Sequence, residues 1–509
     1  MGVPLPPEPR WVKLLDQSRC IGCHACTTAC KSENEVPVGV TRTYVKSVDV
    51  GVFPQVRRAF QVTRCNQCED APCVAACPTQ AMFRREDGIV DFDKGICIGC
   101  KACMAACPYD AIFINPEDHS AEKCNMCAHR LDAGLEPACV TVCPTEAILV
   151  GDLNDPAATV ARVINREPVQ VRRPEKGTRP GVFYKGAHQA TLDPLGARRP
   201  DGGLFAWATQ GAPDPRLVTS GHPGRTVSSA AALLSYDVPH HAPWGWRVSL
   251  YTWTKSVAAG GFAVPAALAF AGILSWGNAA ARWGAPLLAL AFLALTGGLL
   301  IADLKHPERF WLIFTRHHWR SWLVRGAFIL GGFGAAVALY LVAALAGLTG
   351  IRQVLAALGV PLAAAAAVYT AYLFAQAKAR DLWQSPLLPP HLAVQAALAG
   401  AAAMLPLLAW LAPGRAVTAD EVILAAAAAA HLLLAAGEIT LPHVTAHARL
   451  AAEELSRGRY RRPFGLSLVL VAVAVAAPWI GTWAAPFALA GLLAYEHAYV
   501  QAGQSVPLA

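Results

Sequence analysis

All 16 cysteines of this 509-residue chain fall between Cys20 and Cys143. Its cysteine chemistry must therefore close within the first third, and the rest must fold by other means. The cysteines form four quartets. Cys20, Cys23, Cys26 and Cys30 are spaced C-x2-C-x2-C-x3-C, and Cys97, Cys100, Cys103 and Cys107 repeat that spacing before Pro108. Cys65, Cys68, Cys73 and Cys77 widen the middle gap to four residues and precede Pro78. Cys124, Cys127, Cys139 and Cys143 widen it to eleven and precede Pro144. None is left over. A tight C-x2-C-x2-C loop wraps three corners of an iron–sulfur cubane, while the last cysteine, carried away by the Pro after it, reaches the other cluster of a pair. Structural zinc asks for two separated cysteine pairs per site and gives no reason for a recurring x3-Cys-Pro ending. Cys20-Ile-Gly-Cys23-His24 also spells a haem-attachment pattern, but the quartet already uses both cysteines. Sixteen thiolates predict four [4Fe-4S] clusters.

The remainder is a membrane protein by composition. Hydrophobic residues make up 54% and charged residues 15% of the chain, too apolar a balance for a soluble enzyme of this length. Charge-free runs long enough to cross a bilayer cover 256–281, 283–302, 326–351, 353–377, 392–414 and 422–437. A last stretch, 464–495, is broken by turn signals at Pro478 to Gly481 and reads as two short helices, for eight spans in all. The net charge of +8 has no aromatic-and-basic nucleic-acid motif beside it and suits contact with anionic lipid. With eight spans, the connections on the cysteine side carry eleven Lys and Arg; the other side has only Arg282, Arg352 and Arg415. That bias expects an inner-membrane protein with its cysteine domain facing the cytoplasm. The N-terminus shows no basic stretch followed by an apolar run, so no leader is expected. Residues 151–243, rich in Pro, Gly and Arg (Arg172 to Pro180, then Asp201-Gly-Gly203), show no sustained period and read as a docking linker.

The quartets resemble those of the four-cluster ferredoxin-like electron-transfer subunits of molybdopterin oxidoreductases, over about residues 10 to 200, including Phe183 to Pro194. That resemblance implies four ligand sets: Cys20, Cys23, Cys26 with Cys143; Cys124, Cys127, Cys139 with Cys30; Cys65, Cys68, Cys73 with Cys107; and Cys97, Cys100, Cys103 with Cys77. Lys31 departs from the Pro that follows the other quartets. The membrane half resembles the NrfD-like, polysulfide-reductase type of quinone-reactive anchor, on Asp303 to Trp311, Arg320 to Gly326, Leu382-Trp-Gln-Ser-Pro386 and Ala502 to Leu508. The two parts are normally separate chains and here are fused. The expected architecture is an α+β ferredoxin-like iron–sulfur domain (1–150), a linker (151–243) and an all-α bundle of eight transmembrane helices (244–509).

The resemblance implies electron transfer between the quinone pool (ubiquinone or menaquinone) and a molybdopterin catalytic subunit, carrying molybdenum or tungsten, that acts on a sulfur compound or other small oxyanion. A multihaem cytochrome partner and redox-driven ion translocation are the alternatives. No dinucleotide fingerprint, P-loop, nucleophile elbow or zinc-protease helix stands out. Quinone carbonyls need hydrogen-bond donors, and their chemistry needs ionisable groups in reach of water. Tyr369, Tyr372 and Gln376 share a helical face at i, i+3 and i+7. Lys255 sits at the mouth of the first span, where the related anchor uses Asn and His. His431 and Glu438, seven residues apart, are intramembrane candidates for proton handling, as are Asp303 and Glu496 beside His497. Asp303 also fits a structural anchor at a helix end.

Overall fold

The computed structural model describes residues 8–200 and 231–509. The extreme N-terminus and the Asp201-Gly-Gly203 part of the expected linker lie outside the described residues. Strand β1 (Trp11–Asp16), buried along nearly its whole length, needs cover on both faces. After it come β2 (Thr43–Val52), β3 (Gln55–Arg64), β4 (Met82–Arg84), β5 (Val90–Phe92), β6 (Ile112–Ile114), β7 (Ala121–Lys123), β8 (Ile148–Asp152), β9 (Val169–Gln170), β10 (Val182–Lys185) and β11 (Ala232–Tyr236). They form a four-stranded sheet in the order β8-β1-β10-β9, a three-stranded sheet β11-β2-β3, and the hairpins β4-β5 and β6-β7. On one face of β1, Val12 and Leu14 pack against Val160 of the helix Thr159–Arg166. On the other, Leu15 joins Val182, Tyr184, Cys26 and Cys139. The strand's period of two thus turns Lys13 toward the cysteines.

The region 151–243, expected to lack regular elements, supplies β9, β10, β11 and two short helices. β10 pairs in parallel with β1, Lys13 opposite Val182 through Asp16 opposite Lys185. A strand of four residues is too short to show a period. Its partner lies more than 160 residues earlier, so its identity comes from pairing rather than local pattern.

The membrane half is helical. Among the described residues, six helices are long and apolar enough to cross a membrane: Ala280–Asp303, Trp322–Leu345, Thr349–Ala375, Leu388–Leu411, Arg415–Thr440 and Ala477–Ala502. Two further helices, Trp246–Phe270 and Arg461–Ala474, fall outside that set; the second has only 14 residues. The expected first span at 256–281 begins ten residues earlier, at Trp246, and stops before Gly272, whose φ of 70° breaks the helix. Ser249, Thr252, Thr254, Lys255 and Ser256 are polar yet buried. They face protein instead of lipid, which is why hydropathy underestimated this helix. It crosses Leu388–Leu411 at Gly260 and Gly400, where a Cβ on either would collide with the other helix's backbone, a close approach that small residues allow.

The halves meet through residues of both. Lys101 Nζ pairs with Asp303 Oδ2 at 2.7 Å, giving Asp303 the anchoring role. Past that helix end, His306 Nε2 meets Asp118 O at 2.8 Å, Arg309 donates to the carbonyls of Lys94 and Cys97, and Ser321 Oγ donates to Ala76 O at 2.8 Å. The Asp303–Ser321 loop thus wraps the backbone around the second and third quartets. Near the chain's end, Gln504 accepts from Trp244 N–H and donates to Trp244 O.

His240, just before the first long helix, bridges two carboxylates, with Nδ1 2.7 Å from Asp110 Oδ2 and Nε2 3.1 Å from Asp237 Oδ1. Burial alone would lower the imidazole's pKa; the two carboxylates outweigh it and lift it from 6.5 to about 9. A folded value above the unfolded one means that the stabilisation is complete below about pH 6.5 and is lost as pH rises through about 9. The unfolding temperature of the detergent-solubilised protein is expected to fall as pH rises across this window, and His240→Gln to flatten that part of the profile.

Candidate functional site

Each quartet is shaped by the same backbone device. The residue before the second cysteine is left-handed in all four loops: Gly22 (φ 72°), Gln67 (47°), Gly99 (66°) and Met126 (64°). This conformation is cheap for Gly and costs other residues about a kilocalorie per mole, and it curls the loop so that backbone N–H groups face sulfur. Gly99 N–H and Ala121 N–H each donate to Cys97 Sγ at 3.4 Å, and Ala147 N–H to Cys143 Sγ at 3.2 Å. At Gly99 a Cβ would also collide with Lys305 of the docking loop.

The last cysteine of a quartet leaves its helix for a physical reason. Cys77 (ψ 119°) and Cys107 (ψ 115°) are extended, as a residue before Pro must be. Cys30, followed by Lys31, stays in the helix Ala25–Glu33, where Lys31 Nζ donates to the carbonyls of Pro37 and Val40.

The structure brings the sixteen thiols together in the expected crossed sets. Cys77, Cys97, Cys100 and Cys103 line a cavity of about 360 Å³. Cys20, Cys23, Cys26 and Cys143 line one of about 320 Å³, and Cys65, Cys68, Cys73 and Cys107 one of about 290 Å³. Around Cys30 the neighbouring thiols are Cys124, Cys139 and Cys127. All sixteen are free of disulfides. Four sulfur donors around each of several equal cavities, with backbone N–H groups aimed at the sulfurs, fit an iron–sulfur cluster. Burial raises the Cys30 and Cys107 thiols to about 12. At Cys139 burial also raises the pKa, but Lys13 and Arg64 outweigh it and bring the thiol down to about 7.

On the membrane side, Cys100 also lines a second and larger cavity of about 1510 Å³. Its walls are Trp244, Tyr251, Asp303, Tyr369 and Phe374, with leucines from the helices Ala285–Asp303 and Trp322–Leu345. Trp244 donates from Nε1 to Cys100 O at 3.2 Å. Tyr251 is buried at the wall of this cavity, its hydroxyl beside Thr370. Sequence reading missed Trp244 and Tyr251 because both precede the charge-free run.

Of the residues expected at a quinone, Tyr369 lines the cavity. Tyr372 is 44% exposed and stacks on Trp322 at 4.5 Å. Gln376 accepts from Trp322 N–H at 2.8 Å and donates to Arg320 O at 2.7 Å, capping the start of the preceding helix, Trp322–Leu345. The shared stripe does not make a shared site, because the helix ends at Ala375. Lys255 lies behind Tyr369, 5.2 Å from its ring centre, with Nζ donating to Ala367 O and Thr370 Oγ1 at 2.7 Å each. His431 is elsewhere: its Nδ1 is 3.0 Å from His391 Nε2, and His391 Nδ1 is 3.4 Å from the Tyr495 hydroxyl. Glu438 accepts from Ser385 Oγ at 3.1 Å. Glu496 is buried with one carboxylate oxygen unpartnered.

Cysteine cages that lead to a cavity among membrane helices define an iron–sulfur electron-transfer protein with a multi-pass anchor. Comparison with known proteins agrees. The 4Fe-4S dicluster domain matches residues 56–153 and the 4Fe-4S binding domain residues 11–32. The family described as polysulphide reductase, NrfD, matches residues 236–504, more than half of the sequence. This protein belongs to the NrfD family and carries its iron–sulfur domain in the same polypeptide. A tetrathionate reductase subunit of Salmonella typhimurium is 46% identical over 196 residues, 38% of this chain and 78% of that one. A polysulfide reductase chain of Wolinella succinogenes is 43% identical over 171 residues, 33% of this chain and 90% of that one. The thiosulfate reductase electron transfer subunit PhsB of Salmonella typhi is 49% identical over 149 residues, 29% of this chain and 78% of that one.

Proposed function

We propose that this protein passes electrons, through four [4Fe-4S] clusters, between quinone in the inner membrane and a molybdopterin catalytic subunit that acts on a sulfur compound or other small oxyanion. One observation carries the reading: Cys100 lines both a four-cysteine cavity and the apolar membrane cavity. The names of the relatives, reductase subunits for tetrathionate, polysulfide and thiosulfate, support the substrate class. The domain limits proposed are 1–150, 151–243 and 244–509. Counting Trp246–Phe270 and Arg461–Ala474 with the six apolar helices gives the eight passes proposed here, with the iron–sulfur domain on the cytoplasmic face. Purification of the intact complex is expected to yield a large second chain with molybdenum or tungsten in equal amount. Haem with neither metal would move the function to a cytochrome partner.

Bound quinone supplies two-electron, two-proton chemistry beside the cysteine that a one-electron carrier would occupy. The protein's own part is to orient and enclose it. Trp244 and Phe374, with ring centres 5.8 Å apart and stacked, form an aromatic wall. The hydroxyls of Tyr251 and Tyr369 are the donors in reach of a carbonyl. Tyr369→Phe is expected to weaken quinol-driven cluster reduction about tenfold, the worth of one buried hydrogen bond. Gly334→Trp, which fills the cavity beside Leu293, should abolish it. Both should leave reduction by dithionite intact, and an unchanged quinol rate in both removes the quinone from this cavity.

A second reading, redox-linked proton movement, is favoured by the His431–His391–Tyr495 chain and the Ser385–Glu438 pair, on helices away from that cavity. A proton-transfer role predicts that Glu438→Gln slows quinol turnover about 100-fold or more; unchanged turnover removes the role.

A further inference from the structure

Among the described residues, three cations in the interior of the iron–sulfur half have no carboxylate partner. Lys13 and Lys123 are 0% exposed and Arg64 is 1% exposed. Lys13 Nζ makes its hydrogen bond to Cys139 Sγ at 3.7 Å, and Arg64 Nη1 donates to the same sulfur at 3.2 Å. The remaining Arg64 donors, Nε and Nη2, are buried without partners. Lys123 Nζ donates only to the carbonyls of Val90 and Cys124 and lies over the Phe92 ring at 5.9 Å. Among the described residues, none of the three forms an ion pair, whereas Lys101, beside the membrane-proximal quartet, is neutralised by Asp303. The groups around Arg64 that its charge feels are Cys139, Cys124 and Cys26. Lys123 acts in the same way on Cys65 and Cys73.

An unpaired buried Lys or Arg costs several kilocalories per mole, and removing a partner from such a charge is strongly destabilising. Strand period and strand ends nevertheless deliver all three inward, Lys13 from β1, Arg64 from the last position of β3 and Lys123 from that of β7. Their counter-charge must therefore come from what the cysteines hold. A cubane with four thiolates is an anion that gains one more negative charge on reduction, so nearby fixed cations stabilise its reduced form more than its oxidised form.

Resting on the iron–sulfur reading above, we propose that Lys13 and Arg64 are potential-setting residues. They make the Cys30, Cys124, Cys127 and Cys139 site the highest-potential station in the row. Lys123 extends the same field to the Cys65, Cys68, Cys73 and Cys107 site. Electrons entering at the membrane end would come to rest on these two one-electron sites, which together match the two electrons of one quinol.

The test is an EPR-monitored redox titration of the full-length protein in detergent, with iron and sulfide counted in the same sample. In the wild type, the signal with the highest midpoint potential is expected to be the one lost in Cys127→Ala. If a lower-potential signal is lost instead, the proposal is overturned without reference to any cation variant. Lys13→Met and Arg64→Gln should each lower the midpoint of that signal and leave the Cys77, Cys97, Cys100 and Cys103 site unmoved. The charge-keeping Arg64→Lys should stay near the wild-type value. Unmoved midpoints in both charge-removing variants, or equal drops in Arg64→Gln and Arg64→Lys, overturn the proposal. Fewer than four clusters in the wild type would instead count against the four-cluster reading itself.

Discussion

Four sulfurs must converge on each cluster, and they come from distant parts of the sequence. Cys143 closes a cavity begun at Cys20, and Cys107 closes one begun at Cys65. Everything between must be short enough to allow this, which explains helices of five residues and hairpins of three-residue strands. Such elements cannot hold themselves together through local hydrogen bonds. Their stability comes from covalent ligation and from the longer strands β1, β2 and β3 that frame them. The hydrophobic core there is correspondingly made in part of cysteine: Cys68, Cys73, Cys77, Cys97, Cys103 and Cys107 belong to one buried cluster with Met82, Val90 and Tyr109.

Ligation chemistry was the most legible part of the sequence because its signal is local. Three cysteines within seven residues fix a loop whatever surrounds it, and a Pro after the fourth dictates its departure. Lys31 shows the limit of that rule: without Pro, Cys30 remains helical and still reaches its partners, since Cys30 lies on the helix face turned toward Cys124 and Cys127. β10 was illegible for the opposite reason, as its four residues become a strand only against β1. The first long helix was misplaced because burial inside a bundle permits Ser, Thr and Lys where lipid would not. Tyr369, Tyr372 and Gln376 share a stripe but end up in three environments, because a helix face says nothing of where the next helix begins. The buried cations could not be recognised either, since Lys13 in a six-residue strand reads as an ordinary surface alternation until the cysteines are placed behind it.

The two halves differ in how they use polar groups. In the soluble half, Lys13 and Arg64 are set against sulfur, while the buried acids Glu122 and Asp237 are paired with Arg42 and His240. In the membrane half, buried polar side chains bond mainly to backbone carbonyls, as with Lys255 to Ala367 and Arg380 to Gln504. The latter is the economical choice where no water is present to share the burden.

The junction between them combines hydrogen bonds to backbone carbonyls with shared apolar clusters, Ala102 and Ala105 with Trp244 and Tyr251, and Ile98 with Leu312 and Val324. Two separate proteins meeting there would first have to offset the translational and rotational freedom lost on association, about 4–15 kcal/mol. Here only the residues from 237 to 245 separate β11 from the first long helix, so the halves are never at independent concentrations. The junction then needs no association step of its own to hold one cluster site against one cavity, and its occupancy no longer depends on how much of the protein a cell makes.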